Sequence, residues 1–181
     1  MDNPLRYIDP KGNEVYVLNE EDRALVLSWI NSRSAVQFAF NGNRLVATKE
    51  VLGYGHSQYY SDMLINAVEN KDNFVYIKIA DEFPLGSNTF IKVDDKGGAA
   101  TVVNEKYPNF YDVYVSNREW HFPYAPFIYD DQSLKVMHEL VGHVVTSILR
   151  LPSVEHFAII EENKVRYECG ELFRFLTIDK K

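Results

Sequence analysis

The sequence predicts an α+β domain in which an antiparallel or mixed sheet supports an apolar motif helix and a second, acidic helix. Three observations lead there. Short β-branched and aromatic runs bounded by turn residues occupy residues 74–116. A mostly apolar run of helical character follows at residues 133–150, and an acidic run with helical spacing follows at residues 161–169. The 181 residues, 46% of them hydrophobic, fill one core well and fall short of two, so one domain is expected.

Residues 14–18 alternate in polarity and read as a short strand. Asn19 is placed to N-cap the next segment. Glu20, Glu21 and Asp22 lie in its first turn, where the helix dipole favours acids, and Ala24, Leu25, Leu27, Trp29 and Ile30 carry the helix to about Ser32. Residues 38–40 and 44–47 flank Asn41-Gly42-Asn43, a hairpin turn. Gly53-Tyr54-Gly55-His56-Ser57 has too few glycines in the right order to cradle phosphate. It reads as a loop ending at an N-cap, Ser57, before a helix with Met63, Leu64, Ile65 and Val68.

Strands are expected at residues 74–80, 89–93, 100–103 and 111–116, an antiparallel region with turns at Gly97-Gly98 and Pro108. Residues 120–130 form a long aromatic loop, either a substrate-binding lip or core packing. Asp131 or Ser133 then caps the apolar helix, which ends near Arg150 ahead of Pro152. After a loop containing His156, the acidic helix runs to a stop at Gly170, and residues 172–178 make a closing strand.

The apolar helix contains His138-Glu139-Leu140-Val141-Gly142-His143. A buried helix face rarely accepts two imidazoles and a carboxylate unless they bind something, and a metal is the simplest partner. In the zinc motif H-E-x-x-H, two histidines one turn apart share an ion and the intervening Glu activates water. Here the spacing is one residue longer. On a regular helix, positions i and i+5 diverge by about 140°, too far for one ion, so a local π-type turn is required. Gly142 is the residue that tolerates such a distortion at least steric cost. His138 and His143 are therefore expected to be Zn2+ ligands, with Glu139 as the general base that takes a proton from water.

Composition narrows the rest. The net charge of −7, without a Lys/Arg cluster, argues against a nucleic-acid groove or an anionic membrane surface. Cys169 is the one cysteine, which excludes an internal disulfide and a cysteine-rich zinc site, and it is expected to be a buried thiol. No run approaches the ~18 apolar residues of a membrane span, and no signal-peptide pattern opens the chain. Export therefore requires another carrier.

H-E-x-x-G-H resembles the motif of dipeptidyl peptidase III, whose second motif begins Glu-Glu with an Arg soon after, as in Glu161-Glu162-Asn163-Lys164-Val165-Arg166. This chain is far smaller, so the ligand logic alone carries over. It implies Glu162 as the third zinc ligand, with Glu161 as the fallback, since adjacent helical residues point about 100° apart. A fourth position remains for water.

Residues 3–12, Asn-Pro-Leu-Arg-Tyr-Ile-Asp-Pro-Lys-Gly, resemble the last conserved stretch of the Rhs and YD-repeat core, after which these secreted toxins switch to a variable effector. The resemblance implies a junction at residues 1–12 and a zincin-like metallopeptidase toxin domain at residues 13–181. Rhs-linked metallopeptidase toxins have a second element, Glu-Asn-x-x-Arg, that is similar to Glu162-Asn163-Lys164-Val165-Arg166. The order of strands, motif helix and ligand-bearing helix is also that of zincins.

The expected function is then a zinc-dependent peptidase secreted within a larger polypeptide and delivered to a target cell. Its partners would be a protein or peptide substrate and a cognate immunity protein. The alternatives are a non-enzymatic interaction tip with a structural metal and another zinc hydrolase, such as a cell-wall amidase. His156, Tyr124, Tyr129 and Tyr167 are open candidates for stabilising an oxyanion, and Arg166 either anchors a carboxylate or forms a surface pair.

Overall fold

The computed structural model describes residues 15–85, 89–118, 120–121, 129–151 and 154–174. Residues 3–12, Tyr124, the Tyr129 side chain, most of the aromatic loop and residues 175–178 of the expected closing strand lie outside that description.

The architecture is α+β with a mixed six-stranded sheet. The strands are β1 (Val15–Tyr16), β2 (Val36–Asn41), β3 (Arg44–Val51), β4 (Phe74–Ile79), β7 (Ala99–Val103) and β8 (Phe110–Val115), in the order β2-β3-β1-β4-β8-β7. The expectation of an antiparallel region at residues 74–116 holds for β7 against β8 but fails for β4, which pairs with both β1 and β8 in parallel. Short strands of alternating residues carry no record of direction. Direction follows from the connections, and here β5 (Glu82–Pro84), β6 (Phe90–Lys92) and β7 intervene before the chain returns beside β4. β5 and β6 pair with each other in a separate hairpin, so the strand expected at residues 89–93 is not part of the main sheet.

Side-chain alternation divides the sheet into two faces. Val15, Val75, Ile77, Val113 and Val115 face a core shared with α1 (Glu20–Asn31) and α2 (Gln58–Glu69). The opposite face carries Tyr114, Ala100 and Val102 against Phe83 and Val93. Both early helices start as their caps dictate: Asn19 accepts from the Glu21 N–H, and Ser57 Oγ accepts from the Tyr60 N–H at 2.9 Å. The hairpin β2-β3 turns through Gly42-Asn43, with Gly42 at φ +65°, a conformation that glycine adopts without steric cost.

The motif helix enters the core from the far end of the chain. It begins as α3 (Gln132–Met137), capped by Asp131, whose Oδ1 accepts from the Leu134 N–H at 3.0 Å. From His138 to Val145 the helix is π-type, and α4 (Thr146–Ile148) completes it. The local unwinding that the His138–His143 spacing demands is therefore present. Where α-helical geometry resumes, the Thr146 hydroxyl donates to the Gly142 carbonyl at 2.6 Å, occupying an acceptor at the change of register.

The last helix, α5, spans Glu155–Glu168 and starts six residues before its expected beginning. Glu155 and His156 are thus helical and not in a loop. α5 crosses the π segment at Gly142, where an added Cβ would lie 2.5 Å from the Ala158 Cβ and 2.7 Å from its Cα. Gly142 is needed for this close approach. The chain after α5 is not in a strand as far as Arg174.

Candidate metal centre

The helix crossing decides what meets the two histidines. Glu155, Ala158 and Glu162 share one face of α5, since seven residues come within about 20° of two full turns. With Ala158 against Gly142, Glu155 and Glu162 project to either side of that point, about 10 Å apart along the axis. His138 stands between them, with Nδ1 2.9 Å from Glu162 Oε2 and Nε2 3.4 Å from Glu155 Oε2. His143 Nε2 is 3.5 Å from the same Glu155 oxygen.

His138, His143 and Glu155 form a group able to hold a metal ion, with ligand atoms all within 4.8 Å of one another. The expected third ligand, Glu162, is not in that group, and neither is Glu161. Glu162 lies on the Nδ1 side of His138, facing away from the point where the two Nε2 atoms converge. Glu161 points elsewhere, accepting from the Tyr59 hydroxyl and from Lys164 Nζ at 2.9 Å.

The separations of the two histidine nitrogens from the Glu155 oxygen suit a small tetrahedral ion. Two ligands at about 2.0–2.1 Å from such an ion sit about 3.3 Å apart, and the two N–O separations here are 3.4 and 3.5 Å. Two imidazoles and a carboxylate are also a donor set that zinc accepts.

Glu162 is the most enclosed member of the cluster, with a side chain only 1% exposed. Burying a carboxylate is costly unless it is paired. Besides His138, it accepts from Arg166 Nε at 2.6 Å and from Arg174 Nη1 at 3.1 Å. Burial raises its pKa, but His138 and the two guanidiniums outweigh that and hold it down at about 2. For His138, burial opposes the charge, but the hydrogen bonds to Glu155 and Glu162 and the charges of Glu139 and Glu162 together outweigh it, pushing its pKa up to about 10 without a metal. Hydrogen bonds from His138 and His143 hold Glu155 below the usual carboxylate range. Arg166 is thus a buried anchor for Glu162 and not a surface pair.

Glu139 is buried and accepts from Thr101 Oγ1 at 2.6 Å. With His143, Glu155, Thr101, Tyr111 and Ser147 it lines an open cleft of about 280 Å³. β7 contributes one wall, and it is the edge strand of the main sheet, with no strand on its outer side among the described residues.

The oxyanion candidates fare differently. His156 is exposed against the Phe157 ring, and Tyr167 is 73% exposed beside Phe173. Neither lines the cleft, whereas Tyr111 and Ser147 do, with their hydroxyls 3.1 Å from one another. Cys169 is half-buried, and desolvation raises its pKa, which is unfavourable for a nucleophile.

Sequence reasoning missed Glu155, Thr101 and Arg174. The seven-residue interval from Glu155 to Glu162 was a usable signal for the first, because it puts both on one helix face. Thr101 and Arg174 reach the cluster through pairing and chain return, and nothing local marks them.

No helix among the described residues is long and apolar enough to cross a membrane. Compared with known proteins, the chain matches no protein-family model, no curated protein and no solved structure.

Proposed function

We propose that the chain is a zinc-dependent peptidase of zincin-like design, with His138, His143 and Glu155 holding the ion and Glu139 as the general base. The observation that carries the reading is the convergence of His138 and His143 Nε2 on one Glu155 oxygen across a π-helical turn, beside a cleft that Glu139 lines. A closed structural site has no need of a cleft at its ligands, or of a second carboxylate facing that cleft. Zinc held there would polarise a substrate carbonyl and acidify water.

The protein's own groups do the rest. Glu162 orients the His138 ring through Nδ1, leaving Nε2 for the ion. Thr101 fixes the Glu139 carboxylate, which takes a proton from attacking water and returns it to the leaving amine. Tyr111 and Ser147 supply hydroxyl donors on the cleft wall. The open edge of β7 suits an extended peptide, which can add to a sheet edge as a further strand.

The resemblance of residues 3–12 to the Rhs junction supports a wider assignment: a toxin effector delivered to a target cell and held in check by an immunity protein. The test is zinc content and peptide hydrolysis for wild type, His143→Ala and Glu155→Ala. Equal zinc in all three proteins would sink the ligand set.

A further inference from the structure

The two oxygens of Glu155 have different neighbours. Oε2 faces both histidine Nε2 atoms, whereas Oε1 is 3.3 Å from Arg174 Nη2. Arg174 reaches that point because its backbone is latched to α5: Asn163 Oδ1 accepts from the Arg174 N–H at 2.7 Å, and Asn163 Nδ2 donates to the Arg174 carbonyl at 2.8 Å. The other arm of the guanidinium, Nη1, lies 3.1 Å from Glu162 Oε2, so the rigid fork spans both carboxylates.

A carboxylate beside a divalent ion binds through one oxygen or through both. The second mode adds a ligand and uses the position that catalysis needs open. Resting on the metal centre proposed above, we propose that Arg174 is a positioning residue that confines Glu155 to one-oxygen coordination and so keeps that position open. Asn163 acts through it, which gives the asparagine next to Glu162 a physical role.

Affinity alone is a poor readout. Removing a cation this close to the ion strengthens binding by charge, while freeing Glu155 weakens its preorganisation. Coordination number separates the two effects. Wild type, Arg174→Gln and Asn163→Ala are each loaded with Co(II) after circular dichroism has checked their fold, and their visible d–d bands are compared. Zinc X-ray absorption gives an independent ligand count.

Four-coordinate Co(II) absorbs more strongly than five-coordinate Co(II). Wild type is expected to give the four-coordinate band, and both variants a weaker, five-coordinate band as Glu155 chelates through both oxygens. If Arg174→Gln fails to fold, Asn163→Ala decides, since it leaves every charge in place. Unchanged spectra in the folded variants, or a five-coordinate wild type, overturn the role of Arg174 alone. Absence of uptake, or uptake that His143→Ala does not reduce, overturns the metal centre and this inference with it.

Discussion

Gly142→Ala tests the helix crossing on which the centre depends. The added methyl would sit 2.5 Å from the Ala158 Cβ and 2.7 Å from its Cα, whereas carbon atoms pack at about 3.5–4.0 Å. One helix must therefore retreat by about 1 Å. Overpacking of this kind costs about 1–3 kcal/mol, while alanine recovers up to about 1 kcal/mol of helix propensity, so a net loss is expected. The larger effect falls on the metal. Ligand distances tolerate about ±0.2 Å, and Glu155 lies one turn from Ala158, so the same retreat carries its carboxylate out of range.

Zinc affinity should drop at least about tenfold, comparable to losing a residue that orients a ligand. The assay is competition against a chromophoric chelator, paired with a urea melt of the metal-free protein. Adding Ala158→Gly should restore only part of the loss, because the new methyl would still lie 2.7 Å from the backbone of residue 158. A Gly142→Ala protein with wild-type zinc affinity would refute the close-approach argument.

Other outcomes follow from the same geometry. Glu139→Gln should keep its zinc and lose ~10²–10⁴-fold in peptide hydrolysis, because it removes a base and no ligand; a metal-loaded variant of undiminished activity would remove Glu139 from the mechanism. Glu155→Ala should cost more zinc affinity than Glu162→Gln, for which about 10–100-fold is expected of a ring-orienting partner. The reverse order, measured by the same competition, would return Glu162 to the ligand set. In chelator, stability should plateau between about pH 4.5 and 6.5. His138 has a raised pKa, so its contribution is complete below 6.5 and lost as pH climbs through about 10. Glu162 has a lowered pKa, so its contribution is complete above 4.5 and lost as pH falls through about 2. A urea midpoint that rises from pH 6.5 to 9 would contradict this.

Much of this molecule was legible locally. Cap residues, turn glycines and apolar spacing located α1, α2, the β2-β3 hairpin and the motif helix, because each depends on groups within a few residues of one another. The π turn was legible too, since an interval of five positions between two converging side chains leaves an α-helix no other course. The direction of β4 and the meeting of Glu155 with the two histidines were not. Glu162 carried the more suggestive motif, yet in the fold it holds the back of the His138 ring while Glu155 holds the front. That division is set by where α5 crosses the motif helix, and the crossing is set by a missing methyl at Gly142 against Ala158, sixteen residues away. Sequence spacing fixes which side chains share a helix face; which end of that face meets the Nε2 atoms of the two histidines depends on how closely two backbones approach, and only the packed structure decides that.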